Sequence, residues 1–232
     1  MAVTGIRWED APNYVDYIIK HPQKKYVEIA HKIPKGHFGK VTFNPSSINL
    51  YDNDIEKIVD SEGIIGLILD ERVLGDSKNH GYSEYVSWAE KDLFIKNGVT
   101  EKAYENGSNI NVVEQEQLEY NAAFKINRTL NADDHADLLL NNIFHIVKVI
   151  NKHKPTTDAW NYICIGTDFD GLINPINICT NISQLFNIED VLVKNLSGFA
   201  LGMGITLNDT PQNIANKIMY ENGHRFVEKN FA

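Results

Sequence analysis

The feature that most constrains this chain is the run Tyr162-Ile163-Cys164-Ile165-Gly166-Thr167-Asp168-Phe169-Asp170-Gly171. A short apolar stretch stops at a small residue, and two aspartates flanking a phenylalanine lead into glycine. The stretch is too short for a helix and rich in β-branched residues, so it predicts a buried parallel strand. In α/β architectures the end at which such a strand leaves the sheet is the end that carries chemistry. A carboxylate placed there needs a reason. A metal, a proton to move, or a set of backbone donors to accept are the usual ones.

A second run of this kind, Ile64-Ile65-Gly66-Leu67-Ile68-Leu69, exits at Asp70-Glu71-Arg72. Before it, Asp52 and Asp54 open a helix whose acidic first turn suits the positive end of its dipole, and Gly63 closes the connection. The clearest helix spans 131–152, where Leu138, Leu139, Ile143, Phe144, Ile146, Val147 and Ile150 form a broad apolar face. Helices are also predicted at 189–199 and at 211–221, the latter started by Asp209-Thr210-Pro211. The pattern further predicts a helix over 12–33 interrupted at Pro22, one from Ser83 to Lys96, and an extended piece from Lys40 to Phe43. From 98 to 121 the signal is irregular, with some helix expected from Val113 to Phe124. Helices alternating with short apolar strands predict an α/β fold, a parallel sheet covered by helices, either open or part of a barrel. The expectation is one domain over 1–232, with 73–130 an insert.

Charge narrows the partners. A net charge of -9 repels phosphate surfaces, which argues against nucleic acid or an anionic membrane as partner. No segment reaches membrane-span length, and the first residues lack the basic-then-apolar layout of a signal peptide. Two cysteines, Cys164 and Cys179, make neither a disulfide framework nor a zinc knuckle. Cytoplasmic localisation is the default expectation, with secretion or a periplasmic location following only from a signal upstream.

Each candidate residue has a functional and a bland reading. Asp168 can serve as metal ligand or proton acceptor while Asp170 braces the loop; alternatively both accept backbone N–H groups in the turn before Gly171. Arg72 can bind a substrate carboxylate, or Asp70 and Glu71 a cation; alternatively the three form an internal ion pair that anchors the loop. None of the eight histidines is expected on a strand. His135-Ala136-Asp137 has H-x-D spacing, but on a helix residues two apart point to different faces. His145 reads as a satisfied, half-buried histidine. There is no H-E-x-x-H, Walker loop, G-x-G-x-x-G or G-x-S-x-G.

Three segments together resemble the membrane (renal) dipeptidase family, metal-dependent hydrolases of the amidohydrolase superfamily. Ile48-Asn49-Leu50 through Asp54-Ile55 to Gly63-Ile64-Ile65-Gly66-Leu67 looks like that family's "N-L-x-D-x-x-I … G-G-x-I-G" passage into the seventh barrel strand. Phe144-His145-Ile146 followed by Gly166-Thr167-Asp168-Phe169-Asp170-Gly171 resembles "D-H-I … G-S-D-F-D-G" at the eighth. Glu221-Asn222-Gly223-His224-Arg225-Phe226 is similar to the closing "G-G-N-x-x-R-V" helix, with His224 a departure. The resemblance implies an incomplete (β/α) TIM-like barrel, two zinc ions, and a dipeptide or related amide as substrate. It places on Asp168 the task of orienting or deprotonating the attacking water, with Gly166, Asp170 and Gly171 supporting the site. The family's zinc ligands, an H-x-D on the first strand, a bridging glutamate and single strand histidines, have no counterpart here. The chain is therefore expected to be the C-terminal part of a larger hydrolase, poor at binding zinc alone. The alternative is a non-catalytic remnant or assembly module that self-associates or pairs with a missing barrel portion. A weaker third reading is a metal-free hydrolase using the carboxylates at the two strand exits.

Overall fold

The computed structural model describes residues 1–20, 25–38, 41–75, 83–94, 99–103, 132–167, 169 and 174–231. A 3-10 segment, Trp8–Tyr14, leads into strand β1 (Val15–Lys20) and then β2 (Tyr26–His31). Helix α1 (Asp52–Asp60) precedes β3 (Ile65–Leu67), and the short helix α2 (Glu71–Leu74) follows it. Next come β4 (Ser83–Ser87), α3 (Lys91–Phe94) and β5 (Thr100–Ala103). Helix α4 (Ala132–His153) returns the chain to β6 (Ile163–Ile165). Helices α5 (Leu185–Met203), α6 (Pro211–Asn216) and α7 (Asn222–Phe231) close it, with a π-helical turn, Lys217–Glu221, between the last two.

The fold is mixed α/β. Strand β3 pairs parallel with β6 in the register Ile65↔Ile163, Gly66↔Cys164 and Leu67↔Ile165. On the other side of β3 the amino group of Met1 donates to the Gly66 carbonyl at 2.8 Å, and the Ile68 N–H donates to the Met1 carbonyl at 3.1 Å. Bonds to both sides of Leu67 are the parallel pattern, so residues 1–3 extend this small sheet by one segment. Val3 bridges Leu50 in the same direction. Among the described residues these segments do not close into a barrel.

A second sheet, in the order β4-β2-β1-β5, corrects the expected helix over 12–33. Val15, Tyr17, Ile18 and Ile19 in β1, and Tyr26, Val27 and Ile29 in β2, are β-branched or aromatic, and β2 alternates buried and half-buried residues along its length. That is a period of two, and cross-strand packing outweighs the helical reading. The expected helix from Ser83 to Lys96 is likewise β4, which pairs antiparallel with β2, followed by the single turn α3. His31 lies on β2, contrary to the expectation that strands carry no histidine. The helix expected near 113–124 lies outside the described residues.

Helix α4 organises the core. Leu138, Leu139, Leu140, Ile143, Phe144, Ile146, Val147 and Ile150 are all at most 1% exposed. Burial of each stabilises the fold by about 1.5–3 kcal/mol relative to exposure. The helix is covered on more than one side: α1 and α5 pack beside it, and the paired segments 34–38 and 41–43 contact it through His37 and Phe38. Two buried asparagines join the layers. Asn142 accepts the Val3 N–H at 3.0 Å and donates to the carbonyls of Leu74 and Leu138 at 2.8 and 2.9 Å. Asn222 donates to the carbonyls of Trp160 and Ile163 at 2.7 and 2.8 Å. Thr210 caps α6 by accepting the Asn213 N–H, as the start signal predicts. No described helix is long and apolar enough to cross a membrane.

Candidate functional site

Strands β3 and β6 run in the same direction, so their carboxyl ends lie side by side. Gly166 sits where they touch: a Cβ there would lie 3.2 Å from the carbonyl carbon of Gly66. The backbone then holds the span after β6 at both ends. The Gly166 N–H donates to the Leu67 carbonyl at 2.8 Å, and the Ile176 N–H donates to the Leu69 carbonyl at 2.9 Å. Asp70 bridges Pro175 in antiparallel fashion. Asp168, Asp170 and Gly171 belong to the span so anchored and lie outside the described residues.

Asp70 and its neighbours form the return anchor. Asp70 is 2% exposed and caps α2, one oxygen accepting from the Arg72 N–H at 2.8 Å and the other from the Asn174 N–H at 3.0 Å. The Arg72 guanidinium grips the same carboxylate with two bonds, at 3.1 and 2.6 Å. Burial pushes the Asp70 pKa up, but the Arg72 pair and the two backbone donors together outweigh it and hold the carboxyl below its ordinary value. Arg72 is raised in turn by its bond to Asp70. The structure thus joins the two residues read as substrate-binding to each other and to the loop.

Glu71 completes the anchor. Its N–H donates to the Asn174 carbonyl at 2.9 Å, and its carboxylate accepts from the Asn174 side chain. Its other oxygen lies 3.5 Å from His135 Nε2, and His135 Nδ1 accepts the Asn177 N–H at 3.1 Å. Because Nδ1 accepts, the ring proton of a neutral His135 sits on Nε2 and faces the glutamate. His135 therefore fastens the returning segment. No local pattern marks Asn174 or Asn177, whose roles depend on contacts across about 40 to 100 residues.

A second polar cluster lies on α4. His145 is 5% exposed; its Nε2 meets Asp52 Oδ1 at 2.7 Å and its Nδ1 meets His37 Nε2 at 3.0 Å. His145 is satisfied as expected, but buried rather than half-buried, and His37 and Asp52 were not foreseen as its partners. A cleft of ≈ 360 Å³ lined by Glu62, Tyr162, Arg225, Phe226 and Lys229 opens at the other ends of β3 and β6, away from the anchored span.

Among the described residues no group of three or more histidine, cysteine, aspartate or glutamate side chains could hold a metal ion. The zinc pair implied by the resemblance therefore finds no ligand set there. Asp70, the acid at the neighbouring strand exit, has both oxygens committed to Arg72 and backbone donors. No family model, no curated protein and no solved structure matches this chain. What the fold defines is a mixed α/β protein with an acid-bearing span hung from two adjacent parallel strands.

Proposed function

We propose that the chain is part of a hydrolase of the dipeptidase kind, cleaving a dipeptide or related amide with water. Asp168 is then the residue that orients the water or takes its proton. The observation that supports this reading is the anchoring of the span bearing Asp168 at both ends to the exit of β3, by Gly166 on one side and Ile176 and Asn174 on the other. A catalytic carboxylate needs such a scaffold, because a general base acts only when held within hydrogen-bond reach of the proton it abstracts. A metal-assisted form of the reaction requires ligands from beyond the described residues.

The test is hydrolysis of a panel of dipeptides, read as released amino acids with added zinc or with chelator. It is run on this chain and on any longer polypeptide that contains it. Hydrolysis that falls on the order of 10²–10⁴-fold in Asp168→Asn while the fold survives supports the reading. Equal turnover in that variant, or none in any unsubstituted form, overturns it.

One observation favours a second reading, that of a non-catalytic assembly module. The acids at the β3 exit are engaged in internal bonds to Arg72 and Asn174. Light scattering that finds a stable complex with itself or a second chain, without hydrolysis, would favour this module.

A further inference from the structure

The antiparallel segments 34–38 and 41–43 are attached to α4 through a titratable clasp. They are joined by a Lys35↔Thr42 bridge and by the bonds Gly36 N–H to the Val41 carbonyl and Phe43 N–H to the Pro34 carbonyl, both 3.0 Å. Three neighbouring residues dock them. The His37 N–H donates to Asn141 Oδ1 at 2.7 Å, and the His37 ring stacks on His145 with centroids 5.2 Å apart and an interplanar angle of 16°. Phe38 packs on Phe199 of α5 at 4.1 Å and edge-on to Phe144 at 6.2 Å. Phe43, 2% exposed, lies against both histidines.

Asp52 can only accept, and that sets the tautomers of the clasp when both rings are neutral. In that state Asp52 accepts from His145 Nε2–H, His145 Nδ1 presents a lone pair, and His37 Nε2–H donates to it. The remaining nitrogen, His37 Nδ1, is the lone-pair position at which this three-residue chain takes up another proton. Uptake there creates an imidazolium between the rings of Phe43 and His145. The facing charged groups are Asp52 on α1, which favours the cation, and Lys148, one turn beyond His145 on α4, which opposes it. Within the clasp Asn141 Nδ2 is buried with no partner, so the docked state already leaves one polar group unsatisfied. A general-base role for His37 does not fit, because a ring so reluctant to take a proton is a weak base at neutral pH.

We propose that the paired segments 34–38 and 41–43 form a pH-sensitive strap, docked on α4 while His37 is neutral and released when His37 takes a second ring proton, which uncovers Phe38, Phe144 and Phe199. Burial, the neighbouring His145 and Lys148 lower the His37 pKa from 6.5 to about 4, whereas a released ring titrates near 6.5. Linkage between those values favours release on the order of twentyfold as pH falls from 7 to 5. The strap lies apart from the anchored span, so this inference stands or falls independently of the hydrolase reading.

Hydrogen exchange followed by mass spectrometry, corrected for the intrinsic pH dependence of exchange, tests the strap in the whole chain. Protection of 34–38 and 41–43 should fall on the order of twentyfold between pH 7 and pH 5, while the second half of α4 keeps its own protection. In His37→Phe, which keeps a ring on His145 but cannot charge, the pH dependence should vanish. A second readout, the NMR titration of the His37 ring, needs no variant and should give a midpoint well below 6.5. Strap protection indifferent to pH, unchanged pH dependence in His37→Phe, or a midpoint near 6.5 overturns the proposal.

Discussion

The carboxylate of Asp52 and the imidazole of His145 meet at 2.7 Å although 93 residues separate them, and the same separation brings Asp60 to His153 at 3.0 Å. Equal spacing on both helices means that α1 and α4 run parallel and in step for about two turns. The two pairs differ in burial, and so in energetic weight. His145 is nearly enclosed, whereas His153 and Asp60 are open to solvent and Asp60 also pairs with Lys154 at 2.8 Å. Asp52→Ala should therefore cost roughly 2–4 kcal/mol by stranding a buried ring nitrogen, and Asp60→Ala under about 1 kcal/mol. Urea denaturation of both variants checks the contrast; equal losses would contradict it.

Two glycines should differ in the same graded way. Gly75 ends α2 at φ +136°, and a Cβ there would fall 2.0 Å from the Thr42 carbonyl oxygen. Gly166 needs only a few tenths of an ångström of relief from Gly66. Gly75→Ala is expected to destabilise by more than about 3 kcal/mol and to unseat the paired segments 34–38 and 41–43, and Gly166→Ala by about 1–3 kcal/mol. Thermal melts with exchange mapping of those segments read both effects.

Asn222→Leu keeps the branching of the side chain, though with bulkier methyl groups, and removes both donors to the Trp160 and Ile163 carbonyls and the acceptor for Arg225 Nη2 at 2.8 Å. Leaving two buried carbonyls unpaired should cost about 2–5 kcal/mol. The loss should show as a lower urea midpoint with an unchanged slope. A midpoint within error of the unsubstituted protein would mean water replaces the side chain.

Acid should act in two windows. The depressed His37 contributes stability that is complete above 6.5 and is lost as pH falls from there to about 4. Asp70, also depressed, contributes stability present above its unfolded value near 3.8 and lost as pH falls through its lower folded value. Urea midpoints from pH 8 to 2.5 should thus decline twice. His37→Phe should flatten the first decline and Asp70→Asn the second.

Several elements could be read from residues alone because local signals and burial agree there. The apolar face around Ile143, Phe144 and Val147 specifies α4, and the acidic turn at Asp52 and Asp54 specifies α1. The apolar runs at Ile65–Leu67 and Ile163–Ile165 were recognisable as strands, although the paired lengths are shorter than the runs. The 15–31 region misled because Pro22 and the charged residues resemble an interrupted helix, while the partners that make β1 and β2 strands are far along the chain. Helix α5 extends past its expected limits at both ends, since Leu185 and Met203 pack on the core and the left-handed Gly204, at φ +63°, is what stops it. In the candidate site, Asp70 and Arg72 were visible as charged residues at a strand exit, but their mutual bond was one of two readings until geometry chose it. Asn142, Asn174 and His37 carried no pattern, because their partners lie 68, 103 and 108 residues away.

The span after β6 hangs from the carbonyls of Leu67 and Leu69, two residues apart on one strand. Such suspension separates the loop's content from the scaffold's integrity. The two suspending bonds are made by main-chain groups, so they do not depend on which side chains the span carries. Exchanging side chains in that span, with the core-packing Phe169 kept, is thus the way to probe the proposed chemistry while leaving both anchors in place.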